Sequence, residues 1–425
     1  MTSLPPEIER VKDPLIRAGV TNAIERNLLP AAQEKAYPGH FCIVANCTHY
    51  GGDSTWPGLD SWEMAGAYLM LGRQRMIRDY FAFVRASQRP DGNVPIAISP
   101  ADTPPPGLND YGRGVRYPQD VYEYAPFGQK PRKWIGLFHH WQMEVNPLSV
   151  LGSISYILTA AEIWRDGKSA QWLKEYQPSI ELAGKYVLSR KAENGLISGA
   201  GFYMESPPRN QWDGVTQCYA VHAFQLVAEL SGDEKWTKHA DELAAKFQEI
   251  YWRDDHFAEY IHPKHGVVDS HGLSDVNWAA VAWEVATDEQ TKKLWPRMMA
   301  EKSLWAGGMP TQLVSKPAAT YEKWEYTEPL PFKPANGPTY DVSAMGRVWF
   351  LEARACARMK EWERLRESTR LVCRMGEKHE WMWFERYHAQ PDGTVKPAGP
   401  KGYCEYAAIL VRVVLGNVEA FAAHP

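Results

Sequence analysis

An all-α toroid of six helical hairpins, an (α/α)6 barrel, is the fold this 425-residue sequence predicts. Three observations lead there. Segments with helical hydrophobic spacing recur along the whole chain and fall into pairs. The turns inside the pairs are short, as antiparallel neighbours require. The connections between pairs are long, over residues 46–60, 91–146, 196–213, 253–275, 302–341 and 379–402, and they are rich in Trp and acidic residues. Short turns on one side and elaborated loops on the other put function at one end of the ring. An open α-solenoid fits less well, because the loops are varied and no repeat of fixed period appears. The whole chain, 1–425, reads as one domain.

The elements follow in order. Glu9 to about Leu28 is amphipathic and ends near Pro30. Trp62 to Gly72 and Arg75 to Ser87 come next, and Gln88-Arg89-Pro90-Asp91-Gly92-Asn93 closes the second with a turn signature. Residues 95–134 are rich in Pro, Gly and Tyr and aperiodic, which suits a lid or site wall. Pro147 to Arg165 and Ala170 to Arg190 form a pair that stops at Glu193-Asn194-Gly195. Val215 to Ser231 and Lys235 to Trp252 form another, split by Gly232-Asp233. Asp275 to Ala286 and Gln290 to Glu301 are split by Thr287-Asp288. Val342 to Met359, Trp362 to Met375 and Tyr403 to Leu415 complete the chain.

Composition narrows the function. The net charge is −4, which offers no basic footprint for nucleic acid. No apolar run approaches the roughly 20 residues of a membrane span. The N-terminus lacks a basic stretch followed by an apolar one, so a cytoplasmic location is expected. The six cysteines are scattered without a CxxC pair, which points to buried free thiols rather than a disulfide framework or a zinc knuckle. The chain carries 18 Trp and 21 Tyr, and several Trp lie in polar, Gly/Pro-rich stretches, so a lined cleft is expected as well as a core. No GxSxG, HExxH or phosphate-cradling glycine loop occurs, and no metal or cofactor is implied.

What remains is carboxylate chemistry among aromatic rings. The stretch Gly51-Gly52-Asp53-Ser54-Thr55-Trp56-Pro57-Gly58-Leu59-Asp60-Ser61-Trp62-Glu63 is a bent loop running into a helix. Its acids are either dipole-favoured residues at a helix start or hydroxyl ligands of a sugar that stacks on indole. In Trp212-Asp213-Gly214, Asp213 is either a helix cap or a general acid whose pKa is raised by the neighbouring ring. In Ser274-Asp275-Val276-Asn277-Trp278, a capped helix with a buried Trp competes with a cavity wall. In Trp381-Met382-Trp383-Phe384-Glu385-Arg386-Tyr387, Glu385 is either one half of an ion pair with Arg386 or a base in an aromatic pocket. Two carboxyl groups facing each other across a cleft are the equipment of glycoside cleavage.

These residues resemble those of the (α/α)6-barrel inverting α-glycosidases of the glycoside hydrolase 63 and 37 type: mannosylglycerate hydrolases, processing α-glucosidases and, more distantly, trehalases. Trp56-Pro57-Gly58-Leu59-Asp60-Ser61-Trp62 with Gln88-Arg89-Pro90-Asp91-Gly92-Asn93-Val94-Pro95 is similar to that group's W-x-W-D … Q-x-x-x-G-x-x-P opening. Asn146-Pro147-Leu148 resembles its Q-P-P helix start, and Met345-Gly346-Arg347-Val348-Trp349 its W-R-G-P-x-W. Phe384-Glu385-Arg386-Tyr387 with Pro391-Asp392-Gly393 resembles the segment that carries its catalytic base. Its general-acid motif, E-S-G-W-D-x-S-P-R, is split here. Glu205-Ser206 and Pro208-Arg209 keep its ends, and Trp212-Asp213 follows them.

The resemblance implies an inverting glycosidase acting on a small saccharide or glycoside. Asp213 would be the general acid and Glu385 the general base. Trp56, Asp60 and Arg209 would bind the sugar, and Gln88, Trp212, Asn277 and Trp278 would line the cleft. Asp60 and Glu205 are the other acids to weigh for the role of Asp213. A sugar-binding toroid without catalysis and a lyase or epimerase on the same fold are the alternatives. A binder would keep sugar affinity and show no turnover.

Overall fold

The computed structural model of the protein describes residues 4–34, 39–47, 54–58, 60–100, 150–198, 212–311, 324–325, 343–390 and 392–422, with the backbone of four short strands between 111 and 140. Twelve helices carry the architecture among these residues: α1 Pro14–Asn22, α2 Ser61–Met70, α3 Gln74–Ala86, α4 Leu151–Gly167, α5 Ala170–Ser189, α6 Gly214–Ser231, α7 Glu234–Tyr251, α8 Asp275–Ala282, α9 Asp288–Ala300, α10 Gly346–Met359, α11 Trp362–Lys378 and α12 Cys404–Gly416.

Local chemistry sets their ends. The expected helix from Glu9 is interrupted: a 3-10 turn spans Pro6–Arg10 and α1 starts at Pro14, where Asp13 accepts from the amides of Leu15 and Ile16. A π turn, Ala23–Leu28, then continues α1. Thr287 and Gln290 form a reciprocal capping box on α9. Gly232, at φ +70°, ends α6 in the left-handed conformation that glycine adopts freely.

Two kinds of helix alternate. In α12 every residue from Cys404 to Val414 is buried, and all eight residues of α8 are buried. Helices that are apolar all round belong in the interior. By contrast, α7 buries only the stripe Trp236, Ala240, Leu243, Phe247 and Tyr251, at helical spacing, and exposes the other face. The buried set closes on itself: α2 touches α4, α4 touches α6, α6 touches α8, α8 touches α10, α10 touches α12, and α12 touches α2. The amphipathic helices lie against this cycle: α3 on α2 and α4, α5 on α4 and α6, α7 on α6, α9 on α8, α11 on α10, and α1 on α11 and α12.

Among the cyclic helices, α2, α6, α8 and α10 run in one direction. Trp62 in the first turn of α2 and Tyr219 near the start of α6 meet across the middle with ring centroids 6.1 Å apart. A Cβ on Gly214 would lie 2.6 Å from Val276, so the starts of α6 and α8 adjoin. Arg354 and Arg358, late in α10, donate to the carbonyls of Ala282 and Val281, late in α8. One end of the cycle therefore gathers helix N-termini.

Strand content is the main departure from expectation. The long connections fold into short antiparallel ladders. Trp212–Asp213 pairs with Tyr260–His262, which pairs with Gly266–Val268. Ser343–Met345 pairs with Phe384–Ala389, which pairs with Val395–Lys401. Ala97–Pro100 and Tyr111–Arg113 both pair with Leu137–His140, and Val121–Tyr124 pairs with Arg132–Ile135. Gly and Pro between aromatic residues read as irregular loop, but the same residues also make hairpin turns. Gln390-Pro391-Asp392-Gly393 is such a turn by sequence, and the two strands flank it.

Candidate active site

The helix N-termini bring charged residues together. Asp60 immediately precedes α2, Arg347 is the second residue of α10, and Tyr403 and Glu405 open α12. All four are buried, Asp60 and Glu405 completely. The Glu405 carboxylate accepts from the Arg347 backbone amide at 2.6 Å and from Arg347 Nε at 2.9 Å. Gly346 makes this approach possible, because a Cβ there would meet the Glu405 side chain at 2.8 Å. Arg347 Nη2 lies 3.8 Å from Asp60 Oδ1, and the Tyr403 hydroxyl donates to Asp60 Oδ2. Asp60 makes no capping bond to its own helix. Asp60 stands at a helix start, as the dipole reading has it, but its carboxyl is turned toward Arg347 and Tyr403.

Two acids beside one arginine leave charge unbalanced. Burial and the Glu405 carboxylate push the Asp60 pKa up to about 7, and Arg347 and Tyr403 only partly offset them. Among the described residues, Asp60 Oδ1 and Glu405 Oε2 are buried without a hydrogen-bond donor. Such acceptors are costly to bury, and a ligand hydroxyl would satisfy them.

Glu385 lies at a register shift in the strand Phe384–Ala389, between the pairs Phe384↔Lys401 and Arg386↔Ala398. A bulge of this kind re-aims a side chain. Gly399, at φ +74°, makes room, since a Cβ there would stand 2.2 Å from Glu385 Oε2. Arg386 pairs with the carboxylate, which is the ion pair the adjacent residues suggested. Glu385 is also close enough to push up both the Asp60 carboxyl and the Tyr403 hydroxyl. Burial dominates both of those shifts.

Asp213 opens α6. Its Oδ2 accepts from the Thr216 amide at 2.8 Å and the Thr216 hydroxyl at 3.0 Å, so the cap is real. The Asp213 side chain is fully buried. Cys218 and Tyr251 lie close to it, and their own pKa values rise through burial first and Asp213 second. Trp212 is half-buried, and its indole Nε1 has no hydrogen-bond partner among the described residues.

Beside Asp213 on the same ladder, Tyr260 donates to Glu325. His271 joins that carboxylate to Glu259, with contacts of 3.4 Å and 2.6 Å. Burial works against the imidazolium, but the two glutamates win and hold the His271 pKa up at about 10.

The other expected residues are placed as follows. Trp56 is 7% exposed, and its carbonyl accepts from the Ser61 hydroxyl at 2.5 Å. Gln88 donates to the carbonyls of Ser179 at 3.0 Å and Gly92 at 3.2 Å. Asn277 binds the Phe257 amide at 2.8 Å, and Trp278 is fully buried against Trp295. The side chains of these last three serve the protein's own packing, and Ser274 caps α8. Arg209 and Glu205 lie outside the described residues, as does most of 91–146. Arg347, Tyr403 and Glu405 were not expected in the site. The signal for them was that each stands within two residues of a helix start.

No protein-family model matches the sequence, and no curated protein matches it. Solved structures do. The fold is similar to the GH78 rhamnosidase of Bacillus sp. GL1, at TM-score 0.58 and 13% identity, over 96% of this chain and 35% of that one. It is similar to the rhamnosidase from Klebsiella oxytoca with rhamnose bound, at TM-score 0.54 and 12% identity, over 95% of this chain and 64% of that one. It is also similar to the GH63 mannosylglycerate hydrolase from Thermus thermophilus in complex with glucose, at TM-score 0.59 and 12% identity, over 92% and 98% of the two chains. The chain thus spans about a third and about two thirds of the two rhamnosidases, and nearly all of the hydrolase. The chain has the fold of these glycoside hydrolases.

Proposed function

We propose that the protein is a glycosidase with an (α/α)6 barrel as its single domain, cleaving a small saccharide or glycoside by an inverting mechanism. The closed cycle of buried helices, each with an amphipathic partner, supports the barrel. The observation that carries the function is the set of acids at the N-terminal end of that cycle: Asp60 and Glu405 beside Arg347, with Glu385 near them and Asp213 on the same end.

In this reading Glu385, paired with Arg386, is the general base and removes a proton from the attacking water. Asp213 is the general acid and protonates the leaving oxygen. Asp60, Trp56, Arg209 and the Arg347–Glu405 pair hold the sugar whose bond is cleaved, with Trp212 beside it, while Gln88, Asn277 and Trp278 shape the cleft wall from behind through their own packing. The two unsatisfied acceptors on Asp60 and Glu405 suit sugar hydroxyls. An inverting enzyme keeps its two carboxyl groups roughly 6.5–9.5 Å apart so that water fits between base and sugar. We read the location as cytoplasmic. Among the described residues no helix is long and apolar enough to cross a membrane.

Turnover of a panel of aryl glycosides and disaccharides by the wild type, D213N and E385Q tests the reading. Cleavage by the wild type, with both variants reduced by about 10²-fold or more, is expected. Sugar binding without turnover in the wild type would instead make the protein a binder.

A further inference from the structure

Three buried thiols, Cys42, Cys47 and Cys404, lie together behind Tyr403, and the first two touch. Cys42 Sγ and Cys47 Sγ are 2.6 Å apart. That is about half an ångström longer than the ~2.05 Å of a disulfide bond. The residues between them form a tight turn whose last residue, Cys47, adopts φ +55°. Left-handed backbone is costly for a residue with a Cβ and often marks a functional site. Both cysteines are 2% exposed. His40 Nε2 lies 3.7 Å from Cys42 Sγ, and His40 Nδ1 lies 3.0 Å from Thr55 Oγ1.

We propose that Cys42 and Cys47 are a redox-active pair that closes to a disulfide under a peroxide oxidant and reopens under a dithiol reductant. In the tautomer that donates Nδ1–H to Thr55 Oγ1, His40 Nε2, 3.7 Å from Cys42 Sγ, takes the proton of the Cys42 thiol. The Cys42 thiolate attacks hydrogen peroxide, the O–O bond breaks, and a sulfenic acid and one water result. The Cys47 thiol then attacks the Cys42 sulfur, the S–O bond breaks, and the hydroxyl leaves with a proton as a second water. Two thiols and one peroxide become one disulfide and two waters. Exchange with a dithiol reverses the step.

The pair is wired to the site from two sides. The turn is tied to the start of α12, through Ala45 N to Gly402 O at 2.7 Å and Cys404 N to Ile43 O at 2.8 Å. Tyr403, between those anchors, holds Asp60. On the other side, His40 reaches Thr55, the neighbour of Trp56. Closing the pair fixes this turn and stiffens residues 401–406 and 54–60 together. The pairing itself does not depend on what the site cleaves.

The test is a thiol map of the full-length protein. Native protein is treated with hydrogen peroxide, quenched, denatured, alkylated and digested. No Lys or Arg lies between Cys42 and Cys47, so both fall in one tryptic peptide. That peptide is expected to lose the mass of two hydrogens and to resist alkylation until reduced, with alkylatable cysteines falling from the six of the sequence to four. C42S and C47S should each keep the remaining thiol alkylatable. Full alkylation of the wild-type peptide after peroxide, or linkage of either cysteine to Cys404 instead, would overturn the proposal. Hydrogen exchange of wild type before and after oxidation reads the coupling. Slower exchange over 54–60 and 401–406 is expected, and unchanged exchange there would refute the link to the site.

Discussion

At Asp60 the cost of burying a carboxylate competes with the pull of Arg347, and burial wins. The folded pKa, about 7, stands above the ordinary 3.8, so the folded protein holds a proton that the unfolded chain has released. The stability contributed by the neutral carboxyl is fully present below pH 3.8 and is lost as pH rises through 7. Urea unfolding at pH 5 and pH 8 should show the wild type losing roughly 1–3 kcal/mol more than D60N over that interval. Equal losses would mean that Asp60 is ionised throughout. A second residue-scale prediction concerns Gly399. G399A forces a Cβ into a left-handed position and into Glu385, and should cost about 1–2 kcal/mol or more. A thermal melt identical to wild type would show that the Glu385 carboxylate does not occupy that space.

Asp213 belongs to an element as much as to a reaction, and two substitutions separate the roles. Asn caps helices about as well as Asp, so D213N should leave stability within about 0.5 kcal/mol while removing the acid. D213A should lower stability by about 1 kcal/mol through loss of the Thr216 bonds. A stable D213N with full turnover of a substrate would discard Asp213 as the acid. The element scale is also where the sequence was hardest to read. Glu385 and Arg386 announced themselves as an isolated acid with an adjacent base, but the bulge that aims Glu385 depends on pairing with residues after the turn. Asp60 and Asp213 looked alike as acids before helices. Only tertiary contacts divide them, sending one to Tyr403 and the other to its own helix. Arg347 and Glu405 stood 58 residues apart with nothing local to link them.

On the scale of the molecule, the periodicity along the chain foretold paired helices, because each helix carries its hydrophobic spacing in its own residues, whereas the alternation of buried and amphipathic helices emerges from the structure. The order of contacts around the cycle was not written there, since closure joins α12 to α2 across most of the chain. That closure makes a prediction. Ending the chain before Cys404 removes α12, its fully buried residues and the partner of both α2 and α10. The truncated protein should lose cooperative unfolding, as followed by circular dichroism during a urea titration. A sharp, wild-type-like transition would contradict a closed core.

Cleavage of a glycosidic bond with inversion by these acids is the proposed reaction. Its most direct test follows wild-type cleavage of an aryl glycoside panel by proton NMR and reads the anomer released first, with E385Q alongside. The first sugar released is expected to have the opposite anomeric configuration to the substrate, and E385Q to release none above about one hundredth of the wild-type rate. Release of the retained anomer, or wild-type turnover by E385Q, would contradict it.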